Sequence, residues 1–117
     1  MTKQAGSHMA AEIEQALGVF SEAARQDVAG AVAATGLPNA RAFYTVARGS
    51  SDAAANILSY EFMRVLGRPV TSLPPSVFSL GEGVDMTGAA AIAISQSGAS
   101  DDLVRTVKGI RARGGSV

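Results

Sequence analysis

The chain has 117 residues, which is enough for one domain but short for two. Its 10 basic and 10 acidic residues cancel, so no excess of positive charge favours a nucleic-acid partner. Cysteine is absent, which excludes disulfides, thiolate nucleophiles and cysteine-ligated metals. No apolar run approaches the roughly 18 residues that cross a bilayer, and no signal peptide is recognisable. We therefore expect a cytoplasmic protein with no membrane partner.

The first third of the chain has the composition of helix. Residues 10–35 are rich in Ala, Glu and Gln and contain no proline, and Gly18 is predicted to divide them into a short helix and a longer one. We expect residues 1–41 to form a helical lead-in that ends at Gly36 and Pro38. Apolar residues recur at helical spacing in the longer helix and form a stripe. These residues are Phe20, Ala24, Val28, Ala31 and Val32.

Residues 42–117 alternate between strand and helix patterns. Three short, mostly apolar runs predict strands, at Ala42–Ala47, Pro69–Leu73 and Ala89–Ile94. Helical spacing predicts two helices, at Asp52–Leu66 and Asp101–Arg113. Residues 77–87 are expected to form a loop with one helical turn, and Ser116–Val117 to begin a further strand. This order predicts parallel βαβ units with right-handed crossovers.

Two polar loops, Arg48–Ser51 and Ser95–Ser100, each follow a buried strand and precede a helix. In open parallel sheets, ligands bind beyond the carboxyl ends of the strands, and a helix N-terminus at that edge attracts anions through unpaired amides. Serine hydroxyls around Gly98 can surround a phosphate with uncharged donors. Neither loop contains the Gly-Lys-Ser/Thr of a triphosphate-binding loop or the Gly-x-Gly-x-x-Gly dinucleotide fingerprint. The pattern therefore favours a small phosphorylated ligand, and we expect no cofactor and no metal.

A simpler interpretation assigns these serines only to helix capping. Arg48 likewise is either an ordinary solvated or salt-bridged side chain, or a contact to the anion. Glu61, in the middle of a helix, is interpreted as structural, and the lone His8 as solvated. Two such loops in register on neighbouring βα units favour an anion site over capping alone.

The loop motifs resemble the SIS (sugar isomerase) domain, and most closely the isomerase half of glutamine–fructose-6-phosphate aminotransferase and its glutaminase-free relatives. The resemblance covers residues 9–117 and depends on Arg48–Ser51, Pro75–Val77 and Ile94–Leu103, with Met9, Glu12, Ile13 and Gln15 similar to the opening of the glutaminase-free members. It implies an α/β fold, a three-layer αβα sandwich with a flavodoxin-like parallel sheet. We expect residues 42–117 to be the first part of this phosphosugar-binding domain, truncated after about three strands.

The resemblance also implies which residues bind the substrate. They are Gly49, Ser50, Ser51, Ser95, Gln96, Ser97, Gly98 and Ser100. The aminotransferase usually has Cys-Gly-Thr-Ser where this chain has Arg-Gly-Ser-Ser, which favours the glutaminase-free branch. An acidic residue common after the second loop glycine is Ala99 here, and a usual proline near the opening is Ala16. Isomerases of the family use a glutamate and a histidine from later in the chain, so we expect no catalytic residue within these 117.

These features predict a binder of fructose 6-phosphate or glucosamine 6-phosphate. The parent protein would be an aldose–ketose isomerase, aminotransferase or deglycase. The alternative is a regulatory SIS module that senses a phosphosugar without catalysis, although residues 1–41 are too short and too acidic to supply a helix-turn-helix domain. Apolar helix stripes and an open sheet edge after Ala89–Ile94 lead us to expect self-association, as a homodimer.

Overall fold

A computed structural model describes residues 5–117, so the first four residues of the predicted lead-in lie outside the described residues. The chain divides into two compact units, one ending at Gly30 and one comprising Ala31–Val117. Within the described residues, no helix is both long enough and apolar enough to cross a membrane.

The first unit contains one long helix, α1 (Ser7–Ala24), which runs without interruption through Gly18. The predicted division at Gly18 is therefore wrong. A glycine costs a helix about 1 kcal/mol relative to alanine, and the surrounding alanines and glutamates favour helix strongly enough to offset that cost. The helix ends at Arg25 instead. A short helix, α2 (Ala29–Ala34), follows, and the Asp27 side chain accepts a 3.0 Å hydrogen bond from the Ala29 N–H at its start.

A parallel three-stranded sheet forms the centre of the second unit. Its strands are β1 (Ala42–Ala47), β2 (Val70–Ser72) and β3 (Ala89–Ile94), in the order β2-β1-β3. The predicted bounds of the first and third strands are confirmed, and the second is shorter than predicted. Ser116 extends the sheet by a single parallel bridge to Ala90, as expected for the start of a further strand.

Three α-helices join and follow these strands. They are α3 (Ser50–Leu66), α4 (Ser76–Ser79) and α5 (Asp101–Ala112), and a short 3-10 turn at Leu37–Asn39 precedes the sheet. The two long predicted helices are confirmed. Helix α3 begins two residues earlier than predicted, so Ser50 and Ser51 lie in its first turn. Gly67, in the left-handed region at φ 64°, ends α3 and donates to the Met63 carbonyl.

The core lies on both faces of the sheet, because successive strand residues point to opposite sides. On one face, Val46 and Ala91 pack with Leu103 and Ile110 of α5. On the other face, Phe43 packs with Ala90 and Leu37, and Phe62 of α3 lies against them. Helices therefore cover both faces of the parallel sheet, and the predicted three-layer αβα arrangement is confirmed.

Candidate functional site

The two polar loops begin side by side at one edge of the sheet. Strands β1 and β3 are direct neighbours, and their last residues, Ala47 and Ile94, are partners in the parallel register. Arg48 and Ser95, which come next in the chain, therefore leave the sheet at adjacent positions. This edge is where parallel α/β sheets place their ligands.

Both loops line one cavity of about 240 Å³. Seven of the eight predicted site residues contribute to its wall. They are Gly49, Ser50, Ser51, Ser95, Gln96, Ser97 and Ser100. The eighth, Gly98, lies outside this lining, although its N–H donates to the Ser95 hydroxyl at 3.0 Å. The fold thus brings the predicted residues together, and Gly98 acts on the shape of the loop.

Hydroxyl groups organise the second loop from within. The Ser95 Oγ accepts from Gly98 N–H at 3.0 Å, and the Ser97 Oγ accepts from Ala99 N–H at 3.2 Å. A hydroxyl that accepts a hydrogen bond still has its own proton to donate. Both serines can therefore hold the loop and donate to a ligand at the same time.

Capping does not account for these serines. Gly49 and Ser100 occupy the N-cap positions of α3 and α5, and neither helix has a side-chain cap hydrogen bond. Ser50, Ser51 and Ser100 also make no side-chain hydrogen bond within the described part of the chain. The simpler interpretation of the loop serines as helix caps is therefore wrong for Ser100, whose hydroxyl remains available.

Two glycines allow the loops to turn at this edge. Gly49 has φ 58° and ψ −132°, a backbone conformation that is open almost only to glycine. Gly98 has φ 66°, in the left-handed region, and a Cβ there would meet no atom within 4 Å. Gly98 is therefore favoured by its backbone conformation and not by a lack of space for a side chain. Gly49 tolerates other residues less than Gly98 does, because its combination of φ and ψ is open almost only to glycine.

Unpaired backbone amides at the N-termini of α3 and α5 favour the binding of an anion. In the described structure the backbone N–H groups of Ser50, Asp101 and Asp102 have no acceptor. The first amides of any helix lack an internal partner, and the helix dipole adds partial positive charge there. The wall of the polar cavity thus has serine hydroxyls from both loops, together with Ser50 at the N-terminus of α3.

Charged side chains near the cavity are arranged in pairs. Arg48 Nε lies 2.6 Å from Asp102 Oδ2, and Arg105 Nη2 lies 2.9 Å from Asp101 Oδ2. Both carboxylates of the first turn of α5, which would repel an anion, are therefore matched by an arginine. Arg48 is also the one cationic side chain in the lining of this cavity.

Sequence reasoning left two lining residues out of the predicted site. The sequence leaves two roles open for Arg48, and the helical spacing of Leu103 predicts a place in the apolar stripe of α5. Leu103 does belong to the core, where it is buried with residues of the sheet, but it also lines the cavity. Position directly after β1 was the available signal for Arg48. For Leu103 the pattern carries no such signal, because its spacing is that of an ordinary core residue.

Other concave surfaces of the second unit differ in chemistry. A cavity of about 500 Å³ beside α3 is lined largely by apolar side chains such as Phe43, Phe62 and Leu66. Another of about 450 Å³ lies beside α5, with Val104, Val107 and Lys108 in its wall. The small cavity between the loops is the polar one, so it fits a small anionic ligand best. Among residues 5–117, no three His, Cys, Asp or Glu side chains lie together as metal ligands would.

Comparison with known proteins supports this description at the level of the fold. No protein-family model matches the chain, and no curated protein matches it. A solved structure that does match comes from Silicibacter pomeroyi DSS-3 and carries the provisional name of phosphosugar isomerase. It is 38% identical, covers 89% of this chain and superposes with a TM-score of 0.73. The chain spans 32% of that protein's length. The match supports an SIS-like α/β fold.

Proposed function

We propose that the cavity between the two loops binds a phosphorylated sugar, of the fructose 6-phosphate or glucosamine 6-phosphate class. One observation carries the proposal: two βα loops converge on a cavity of about 240 Å³ whose donors are almost all uncharged. Hydroxyls and helix-terminal amides suit a phosphate group, and a polar wall without a large apolar area suits a sugar. Residues 42–117 would form the first part of the phosphosugar-binding domain and residues 1–41 its helical lead-in.

The proposed reaction of the parent protein is an aldose–ketose isomerisation or an amino-sugar interconversion. The name of the Silicibacter protein supports the isomerase class for that protein, and 38% identity supports transfer of the ligand class to this chain. The closer relationship to the glutaminase-free relatives of the aminotransferase remains part of the proposal. Such reactions abstract a proton next to a carbonyl with a positioned acid or base. The cavity wall contains no carboxylate or imidazole, so we assign binding and no catalytic residue to this chain.

A second candidate function is phosphosugar sensing without catalysis. The specific observation in its favour is that same lack of an acid or base in the lining, since a sensor needs only binding groups. Both candidates predict the same ligand, and they differ in turnover. Incubation with fructose 6-phosphate, followed by chromatography of the sugar phosphates, separates them when the experiment uses the longest natural form of the protein.

We also propose that the protein acts as a cytoplasmic homodimer in which a second copy covers α1. None of the 18 residues of α1 is buried, and its apolar residues Met9, Ile13, Leu17 and Phe20 share one side of the helix. A helix that leaves such a stripe in water gains stability by pairing with an identical helix. Phe20→Glu should lower the sedimentation coefficient to that of a monomer, whereas Ala11→Glu, at an exposed position on the opposite side of the helix, should not. Equal sedimentation of both variants and the native chain would contradict the proposal.

The first test of ligand binding is a thermal-shift titration of the chain with fructose 6-phosphate and glucosamine 6-phosphate, against unphosphorylated fructose. A ligand that binds only the folded state raises the melting temperature with its concentration. We expect a shift with the phosphorylated sugars alone. Cooperative melting without any shift would contradict the proposed ligand class.

The matched variants for that titration are Ser97→Ala, in the cavity wall, and Ser7→Ala, exposed at the start of α1. Ser97→Ala should lose most of the ligand-induced shift while its unliganded melting temperature stays near that of the native chain. Ser7→Ala should behave as the native chain. Normal binding by Ser97→Ala would place the phosphate elsewhere.

A further inference from the structure

We infer that Arg48 is a specificity-determining residue that makes the cavity prefer a doubly charged phosphate ester over a singly charged ester, with Asp102 as the residue that positions it. The inference rests on the proposed function and names a property of the same site. It follows from the one charged group that the cavity wall contains.

Arg48 belongs to the cavity wall and also contacts a carboxylate of a residue outside that wall. Arg48 lines the cavity and Asp102 does not. The two are in contact through Arg48 Nε and Asp102 Oδ2 at 2.6 Å, and no other acceptor in the described residues contacts the guanidinium. A guanidinium has five N–H donors in a planar fork that suits phosphate oxygens. Contact with Asp102 on one side leaves the terminal nitrogens available to a ligand.

Asp102 is itself held firmly in the first turn of α5. Its backbone carbonyl accepts a 2.6 Å hydrogen bond from the Thr106 hydroxyl. Thr106 is fully buried, and the same hydroxyl lies 3.1 Å from the Pro75 carbonyl. The Asp102 side chain is 29% exposed, compared with 56% for Arg48. Asp102 Oδ1 also accepts a 2.9 Å hydrogen bond from the Leu103 N–H, so Asp102 is the better anchored of the two and sets the position of Arg48.

Charge selectivity follows from the difference between Arg48 and every other donor in the wall. Hydroxyls are neutral donors and the helix-terminal amides carry only partial positive charge, so they distinguish a phosphate ester from a sulfate ester of the same shape less than a full cation does. A cation in contact with the ligand interacts more strongly with two negative charges than with one. The other acidic residue at this helix end, Asp101, already has Arg105 as its partner. Arg48 is thus the group on which discrimination between the two esters depends.

The experiment compares glucosamine 6-phosphate with glucosamine 6-sulfate, two esters of the same sugar and nearly the same shape. At about pH 8 the phosphate is a dianion, since its second pKa is about 6, whereas the sulfate stays a monoanion. Dissociation constants are measured by NMR titration of the whole 117-residue chain into the millimolar range. We expect the native chain to bind the phosphate more tightly than the sulfate.

Arg48→Ala should raise the Kd of the phosphate about tenfold, as expected for loss of a charge-assisted hydrogen bond, and the Kd of the sulfate by less. Arg48→Gln, a shorter side chain that keeps hydrogen-bond donors but carries no charge, should lose the same discrimination. The unliganded melting temperature of each variant verifies folding, which we expect to be retained because Arg48 is exposed. An unchanged ratio of the two Kd values in both variants would overturn the inference and leave the proposed function standing.

A double variant separates direct contact from simple neutralisation of Asp102. If Arg48 only neutralised Asp102, adding Asp102→Asn to Arg48→Ala would restore native affinity for the phosphate. We expect the double variant to bind as weakly as Arg48→Ala, and restored affinity would overturn the inference. Failure of the native chain to bind either ester would instead overturn the proposed function, and the inference with it.

Discussion

Helices α1 and α5 are both amphipathic, yet their apolar stripes lie in opposite environments. Helix α1 has 18 residues and buries none of them, with Leu17 77% exposed. Helix α5 has 12 residues and buries Leu103, Thr106 and Ile110, the last with no exposed surface. The difference teaches that an apolar stripe shows that a helix needs a partner surface, but not whether its own chain provides one.

Connectivity is the physical reason for the contrast. Helix α5 follows β3 after a six-residue loop, so the crossover returns its apolar side to the sheet. Helix α1 belongs to the first unit, in which the described residues contain no strand. Within that unit its helicity therefore depends on local propensity, which is marginal for isolated helices of this length.

The largest difference between the two helices should appear when one apolar residue in each is truncated to alanine. Ile110→Ala removes a fully buried side chain from the core of the second unit and should lower its free energy of unfolding by about 3 kcal/mol. Leu17→Ala, the matched change in α1, should alter that quantity by less than about 0.5 kcal/mol. Urea unfolding of both variants measures the difference. A similar loss from both would show that α1 is packed after all.

A pair of glycines inside the two helices offers the next sharpest comparison. A Cβ at Gly109 of α5 would lie 2.7 Å from Phe78 Cδ1, so Gly109→Ala should cost about 1–2 kcal/mol through overpacking. A Cβ at Gly18 of α1 meets nothing within 4 Å, and Gly18→Ala should raise helicity because alanine is the better helix former. Circular dichroism and thermal melting report both effects. Stabilisation by Gly109→Ala would contradict the tight contact.

The buried Thr106 hydroxyl in α5 should contribute less to the free energy of unfolding than the aliphatic side chains near it. Thr106→Val keeps the shape of the side chain but removes the donor to the Pro75 and Asp102 carbonyls. We expect a loss of about 1 kcal/mol, the net value of a typical buried hydrogen bond. Chemical denaturation with an unchanged m value is the measurement. No loss at all would indicate that those carbonyls find other donors.

The smallest effect concerns Asp85, in the segment that leads to β3. Its Oδ1 accepts hydrogen bonds from the Thr87 hydroxyl at 2.7 Å and from the Thr87 N–H at 2.9 Å. These hydrogen bonds lower the pKa of the carboxyl, and the positive charges of Arg41 and Arg113 lower it further. A lowered native pKa stabilises the fold above the ordinary value of about 3.9, and this stability is lost as pH falls through the native value.

Asp85→Asn should therefore lower the melting temperature slightly at neutral pH and make it less sensitive to acid than that of the native chain. Melting curves recorded from neutral pH down to about pH 2.5 cover the pKa window. Since Asp85 is exposed, the effect should be small. A variant that is as acid-sensitive as the native chain would assign the sensitivity to another carboxylate.

Prediction from the sequence succeeded where the composition of a short segment indicates whether that segment is buried or exposed. The runs at Ala42–Ala47 and Ala89–Ile94 are strands because almost every side chain in them is apolar, and all of these side chains except Ala93 are buried or half-buried in the parallel sheet. The two site loops were predictable for the same reason, since each lies between such a strand and a helical pattern. Gly18 misled the prediction because a single glycine weakens a helix without necessarily ending it.

The composition and local pattern of this chain were sufficient for its fold class, its main strands and helices, and the serines and glycines of the candidate site. The convergence of those residues depends on sheet order, because β1 and β3 become neighbours only when β2 pairs with the other edge of β1. The contact between Arg48 and Asp102 follows from that order. Local sequence sets backbone preference, whereas strand adjacency is set by burying both faces of the sheet at once, which no single segment encodes.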